Sequence, residues 1–371
     1  MAVLTNIEGV RDFKHPRDGH QSLVIAQRPR YDAATLLLAW ELTLMKKPIW
    51  GVIAAFALAC GMEAASAQTL DKIRLGYSGT GLNNYVLEMG KRQGIFRRNG
   101  LDVEVVYVNS GSLLSQALIA GTFDISFSQG SEAMVAKLRG ADVRIAAVVA
   151  NHFNHVFLAA PSITSFKQLK GKKVAVSRFG SGSHFQSNLA LKEGCLDPEK
   201  DVTVLQIGNS GARITAILSG VVDGTIMAAD FVPRAKREGF NVLSDLADTK
   251  IDYPFLSLNF VGSYIDRNLR LVKALIKSMS ESVRALQTDA AAAKQVIRST
   301  LRTDDAETVD YSLQRSIQVL ERRPFPTQAG IQTVIDELGK EAKSKNLRYD
   351  DYLDMRALRE LEKEGFFKES R

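Results

Sequence analysis

Six short turns carry the clearest chemistry in this 371-residue sequence: Ser78-Gly79-Thr80-Gly81, Ser110-Gly111-Ser112, Ser128-Gln129-Gly130-Ser131, Gly180-Ser181-Gly182-Ser183, Asn209-Ser210-Gly211 and Ala229-Asp230. Each follows a short β-branched run and precedes a helical pattern. The N–H groups of a helix's first turn have no intrahelical acceptor and sit at the positive end of the helix dipole. Glycine lets a ligand approach such a backbone, and serine adds hydroxyl donors. The combination suits a sulfonate, carboxylate or phosphate group. Any one of these turns is equally an ordinary N-cap that needs no ligand, so the argument rests on several converging in one place. The candidate contacts are Ser78, Gly79, Thr80, Ser110, Gly111, Ser112, Gln129, Ser181, Gly182 and Ser183.

Charged residues near the turns have two readings each. Arg213 opens the helix after Gly211 and either pairs with an anion or faces solvent; Arg178 is a weaker case of the same kind. Asp230 either holds an amino group on a ligand or caps the helix that starts at Phe231. His152 and His155 form an isolated H-x-x-H with no carboxylate or cysteine set around it, so no metal is expected, and His184 reads as a first-turn helix residue. There is no G-x-x-x-x-G-K-[ST], and "SGTGLNNYV" is not G-x-G-x-x-G, so no nucleotide cofactor is expected. Cys195 reads as a small packed residue with no base partner for a nucleophile.

The elements that must hold these turns come in duplicate. "KIRLGYSG" matches "KKVAVSRFG", "RQGIFRRNGLDVEVVYV" matches "KEGCLDPEKDVTVLQI", and "NSGSLLSQALIAGTFDISF" matches "GNSGARITAILSGVVDGTIM". Ala117, Gly121 and Asp124 fall on Ala216, Gly220 and Asp223, each 99 residues on. Each unit reads as strand, turn, helix, strand, turn, helix, strand. Strands alternating with helices imply crossovers and a parallel sheet, and two units imply an α/β protein of two lobes. Ligands of open parallel sheets sit beyond the carboxyl ends of the strands. If the lobes face each other, all six turns look into one cleft. Further on, "RNLRLVKALIKSMSESVRALQTD" places Leu269, Val272, Leu275, Ile276, Met279 and Val283 on one helical face, and the Pro324–Pro326 turn separates two more helical stretches.

Residues 1–67 read differently. Met45-Lys46-Lys47, the apolar "PIWGVIAAFALA" and Ala65-Ser66-Ala67 form a charged region, a short apolar core and a small-residue cleavage site, the parts of a secretory signal peptide. Residues 1–44 would then be a non-native extension, and the mature chain would begin at Gln68 and reside in the periplasm. A lipidated Cys60 is the alternative. The net charge of +7 comes from 48 Lys and Arg scattered among 41 Asp and Glu with no basic stripe, which argues against a nucleic-acid partner.

From Leu70 to about Gly339 the sequence resembles the solute-binding proteins of ABC importers in the nitrate/sulfonate/taurine group, related to thiamine-pyrimidine synthases. The residues carrying the likeness are "EMGKRQGIFRRNGLDVEVVYVNSGSLLSQALIAGTFDISFSQGSEAM", "SITSFKQLKGKKVAVSRFGSGSHF", "LDPEKDVTVLQIGNSGARITAILSGVVDG" and "KREGFNVLSDL". The resemblance implies a type II periplasmic-binding fold with the ligand cleft between two lobes, each a mainly parallel sheet flanked by helices. Lobe 1 would be 70–160 plus the return over 259–371, and lobe 2 would be 161–258. Hinges would lie near Ala159-Ala160-Pro161 and Leu256-Ser257-Leu258. Phe153 and Asn154, after the strand "VRIAAVVA", would face the ligand, with His184 at the cleft rim. The implied activity is capture of a small anionic solute by a non-catalytic monomer that passes it to an ABC permease and its ATPase. An enzyme on the same fold, desulfinase-like or pyrimidine-synthase-like, is the other reading.

Overall fold

A computed structural model describes residues 69–368; the segments expected to be an N-terminal extension (1–44) and a signal peptide (45–67), with Cys60, lie outside them. In the first half β1 (Asp71–Tyr77), β2 (Leu101–Tyr107) and β3 (Ile125–Ser128) pair in parallel, with β1 central. Helices α1 (Leu82–Arg92), α2 (Ile95–Arg98), α3 (Gly111–Ile119) and α4 (Gly130–Leu138) connect these strands and lead on to β4 (Val143–His152). The second half repeats the arrangement. There β6 (Lys173–Val176), β7 (Thr203–Gln206) and β8 (Gly224–Ala228) form the parallel trio. They carry α5 (Gly182–Glu193), α6 (Ser210–Leu218) and α7 (Val232–Arg237), and β9 (Asn241–Asp245) follows.

The duplicated residues keep the same local roles. Asp124 Oδ2 accepts the backbone N–H of Arg74 at 2.7 Å, and Asp223 Oδ2 accepts that of Lys173 at 2.9 Å. Each carboxylate thus pins the central strand of its lobe to the start of the third. Gly121 and Gly220 close α3 and α6 at φ 73° and 69°, a left-handed conformation that favours glycine.

Two further strands, β5 (His155–Ala159) and β10 (Asp252–Val261), complete the sheets. The strand orders are β2-β1-β3-β10-β4 and β7-β6-β8-β5-β9. In each sheet the inserted strand is the first after a chain crossing, and it runs antiparallel between the third and fourth strands. Both are almost wholly buried, as strands covered on two faces must be.

This topology moves the expected boundaries. The chain crosses at Phe153-Asn154 and again over residues 246–251, so lobe 2 runs from β5 to β9. Ala159-Ala160-Pro161 only ends β5, and Leu256-Ser257-Leu258 lies inside the lobe 1 sheet, where Ser257 pairs with Ser128. Pro161 terminates a strand, and Pro254 sits in a bulged stretch of β10 between Asp252 and Leu256, where no ladder N–H is required.

Lobe 1 is backed by α8 (Gly262–Thr288), α9 (Ala290–Leu301), α10 (Ala306–Val319), α11 (Gln328–Ser344) and α12 (Arg356–Lys363). Val272, Leu275, Ile276, Met279 and Val283 of α8 are buried, with Leu269 partly so, matching the expected face. From α10, Arg315 reaches both crossings. Its Nε donates to Asn154 Oδ1 at 3.2 Å and its Nη2 to Asp245 Oδ1 at 2.9 Å. Cys195 is exposed rather than packed; it follows α5 with φ 61°.

Candidate functional site

The carboxyl ends of both parallel trios open on one cavity of about 50 Å³. Lobe 1 contributes Ser78, Gly79 and Thr80 after β1, Asn109, Ser110 and Gly111 after β2, and Gln129 and Glu132 after β3. Lobe 2 contributes His155, Ser177, Ser183, Asn209, Ser210 and Arg213. The tripeptide Asn-Ser-Gly thus stands at the N-terminus of α3 in one wall and α6 in the other. Asn109 and Ser110 line the cavity from lobe 1, and Asn209 and Ser210 line it from lobe 2.

Arg213 is 4% exposed. Its Nη1 donates to Gly208 O at 2.7 Å, and its Nη2 to Ile226 O at 3.1 Å and Ser210 Oγ at 3.4 Å; its Nε has no partner. All these acceptors are neutral, and no ion pair involves Arg213 among the described residues. Burial without a counter-charge pushes the guanidinium down to about 10. Thr80 Oγ1, on the opposite wall, is also buried and without a partner.

The turn at Gly180 to Ser183 behaves unlike the expectation. Gly182 N–H donates to Glu132 Oε1 at 2.9 Å, across the two lobes. Ser181 is an N-cap that accepts from His184 N–H, and its hydroxyl lies 2.8 Å from Ser177 Oγ and 3.0 Å from Ser183 Oγ. The N-terminus of α5 is therefore filled by the chain's own carboxylate. A Cβ on Gly182 would overlap Gln129 Oε1, and one on Gly111 would overlap the Glu132 carboxylate. Both glycines leave room for side chains of lobe 1 near the interface. Glu132 is fully buried, and that burial raises its pKa to about 6 against the hydrogen bonds that lower it. Its Oε2 has no partner.

Three further comparisons bear on this arrangement. A family profile described as NMT1/THI5 like matches residues 83–293, more than half of the sequence. The chain belongs to the NMT1/THI5-like family. YtlA of Bacillus subtilis (strain 168), whose name describes a binding protein and specifies no ligand, is 22% identical over 314 residues, covering 79% of this chain and 90% of YtlA. A solved structure from Bordetella bronchiseptica RB50 superposes with a TM-score of 0.70 at 18% identity, covering 79% of this chain and 98% of that one. The alkanesulfonate-binding protein SsuA of Xanthomonas axonopodis pv. citri, bound to MOPS, gives a TM-score of 0.59 at 18% identity over 77% and 95% of the two chains. This chain shares its two-lobed periplasmic-binding fold with these two solved structures.

In this family member the cavity gathers eight of the expected residues: Ser78, Gly79, Thr80, Ser110, Gly111, Gln129, Ser183 and Arg213. Seven others stand elsewhere. Ser112 bonds Ser110 Oγ at 3.1 Å and faces an outer groove. Phe153 is fully buried and stacks on Tyr253 at 4.5 Å. Asn154 serves the crossing through Arg315. Ser181 and Gly182 are engaged as described, and His184 packs edge-on against Phe179 over a groove outside the cavity. Asp230 is buried behind Gly81, where a Cβ would overlap its Oδ2; Tyr85 Oη–H donates to its Oδ1 at 3.0 Å, and burial raises its pKa.

Several residues line the cavity without being among the expected contacts, notably Glu132, His155, Tyr107 and Phe255. Glu132 is the third residue of a helical run and resembles a surface acid there. From the repeated Asn-Ser-Gly the sequence points to Ser110 and Gly111, and the cavity adds Asn109, Asn209 and Ser210. His155 Nδ1 lies 2.7 Å from Gln186 Oε1, and burial lowers its pKa to about 4, so the ring is neutral.

Proposed function

We propose that the protein is a non-catalytic receptor that captures a small solute with an anionic group in the interlobe cavity and delivers it to an ABC permease and its ATPase in the periplasm. The observation that carries this reading is Arg213, a buried guanidinium with neutral acceptors, one unpartnered N–H and a place on the cavity wall. A buried charge is costly unless paired, and an anionic ligand supplies the missing pair. The N-terminus of the nine-residue α6 adds its dipole beside it. Membership of the NMT1/THI5-like family and the binding roles named for YtlA and SsuA support a receptor. Export rests on the signal-like segment 45–67. Cys195 is not among the residues that line the cavity, which favours binding over thiol catalysis there.

A thermal-shift screen of small sulfonates and carboxylates tests the proposal. A ligand at 100 times its Kd stabilises the protein by about 2.7 kcal/mol. Arg213→Gln should weaken any hit about 10- to 100-fold, since a hydrogen bond to a charged group contributes about 1.5–3 kcal/mol. Equal affinity in wild type and variant would remove Arg213 from the site.

A further inference from the structure

The cavity carries opposite charges on its two walls. Arg213 offers an unpartnered N–H from lobe 2, and Glu132 offers an unpartnered Oε2 from lobe 1; each residue is 4% exposed. A third polar group is set by a chain of hydrogen bonds. Gln186 Nε2 donates to Gln129 Oε1 at 2.8 Å, and Tyr253 Oη–H donates to the same oxygen at 2.7 Å. With its amide nitrogen used in this way, Gln186 turns its Oε1 to His155, which must donate from Nδ1. The neutral ring therefore keeps Nε2 as an acceptor, and His155 lines the cavity. Two acceptors thus accompany one cationic donor.

A purely anionic ligand would satisfy Arg213 but bring a like charge towards the Glu132 carboxylate in a space of about 50 Å³. Like charges brought together in so small a space repel. Resting on the receptor reading, we infer that the solute is bipolar: an acid group held by Arg213 and the N-terminus of α6, and a protonated nitrogen held by Glu132 Oε2. Glu132 is then the residue that selects amino-bearing acids over simple oxyanions. Its Oε1 stays on Gly182 N–H, so the same side chain ties recognition of the nitrogen to contact between the lobes.

Calorimetric titration of the purified protein with two matched pairs, β-alanine against propionate and taurine against ethanesulfonate, tests the inference and separates carboxylate from sulfonate. The amino-bearing member of at least one pair should bind 10- to 100-fold more tightly. Glu132→Gln keeps an acceptor for Gly182 N–H and should abolish that preference, while Arg213→Gln should weaken both members of the pair. If the unsubstituted acids bind wild type as well as their amino analogues do, the bipolar inference falls and the receptor reading stands. If none of the four binds wild type, the inference falls for this class, and the wider screen with Arg213→Gln decides the receptor reading separately.

Discussion

Gly111 and Gly211 occupy the same place in the repeated Asn-Ser-Gly, yet their surroundings differ. A Cβ on Gly111 would overlap the Glu132 carboxylate, whereas one on Gly211 meets only its neighbour Asn209 Oδ1 at 3.4 Å. Gly111→Ala should therefore displace Glu132 and weaken ligand binding at least tenfold, while Gly211→Ala should stay within about twofold, in keeping with the near-neutral effect of substitutions away from crowded sites. Gly182→Leu should behave like Gly111→Ala, because its side chain would meet Gln129 of the opposite lobe. Titration of the three variants with a screening hit, alongside circular dichroism to verify folding, checks the set; wild-type affinity in Gly182→Leu would show that the lobes need not approach there. The sequence made the donors legible because Ser/Gly turns recur at successive strand-to-helix junctions, although any single one is equally an N-cap. It concealed their acceptor. Glu132 lies 50 residues from Gly182, and nothing in "GSEAMVAKL" distinguishes a carboxylate that turns inward from one that faces water.

At the level of elements, the repeat revealed the parallel trios because each strand–turn–helix unit is local. The crossings stayed hidden because β5 and β10 pair with strands far away in sequence, and a buried apolar strand reads alike in either lobe. Arg315 holds both crossings from α10, and its partner Asp245 is itself mostly buried, with side-chain exposures of 9% and 19%. Breaking a buried pair leaves an uncompensated charge and costs about 3–5 kcal/mol; partial exposure of Asp245 reduces the expected loss to about 2–3 kcal/mol. Arg315→Met should lower the urea midpoint accordingly. Lys273→Met, which removes contacts to the exposed Glu360 and Glu364, should cost no more than about 1 kcal/mol. Equal losses in the two variants would mean that Arg315 is simply another surface cation.

For the whole molecule, export and lobe closure can be read by one optical measurement. Both tryptophans, Trp40 and Trp50, precede Ala67, and of the nine tyrosines only Tyr31 does. A chain cleaved after Ala67 therefore has tyrosine emission alone. Its tyrosines are placed to respond when the lobes meet. Tyr85 of lobe 1 donates its hydroxyl to Asp230 of lobe 2, Tyr107 lines the cavity, and Tyr253 stacks on Phe185 from the other lobe at 5.0 Å. Separation of the lobes would break the Tyr85 hydrogen bond and the Tyr253 stack together. Protein recovered from the periplasm should begin at Gln68 in mass spectrometry, emit like tyrosine, and change intensity on addition of a ligand that stabilises it. Tyr85→Phe should reduce that change while leaving the emission tyrosine-like. Retention of Trp50 in the secreted form would overturn the cleavage site, an acylated Cys60 would replace it with a lipid anchor, and a full-length cytoplasmic protein would remove the importer as its partner.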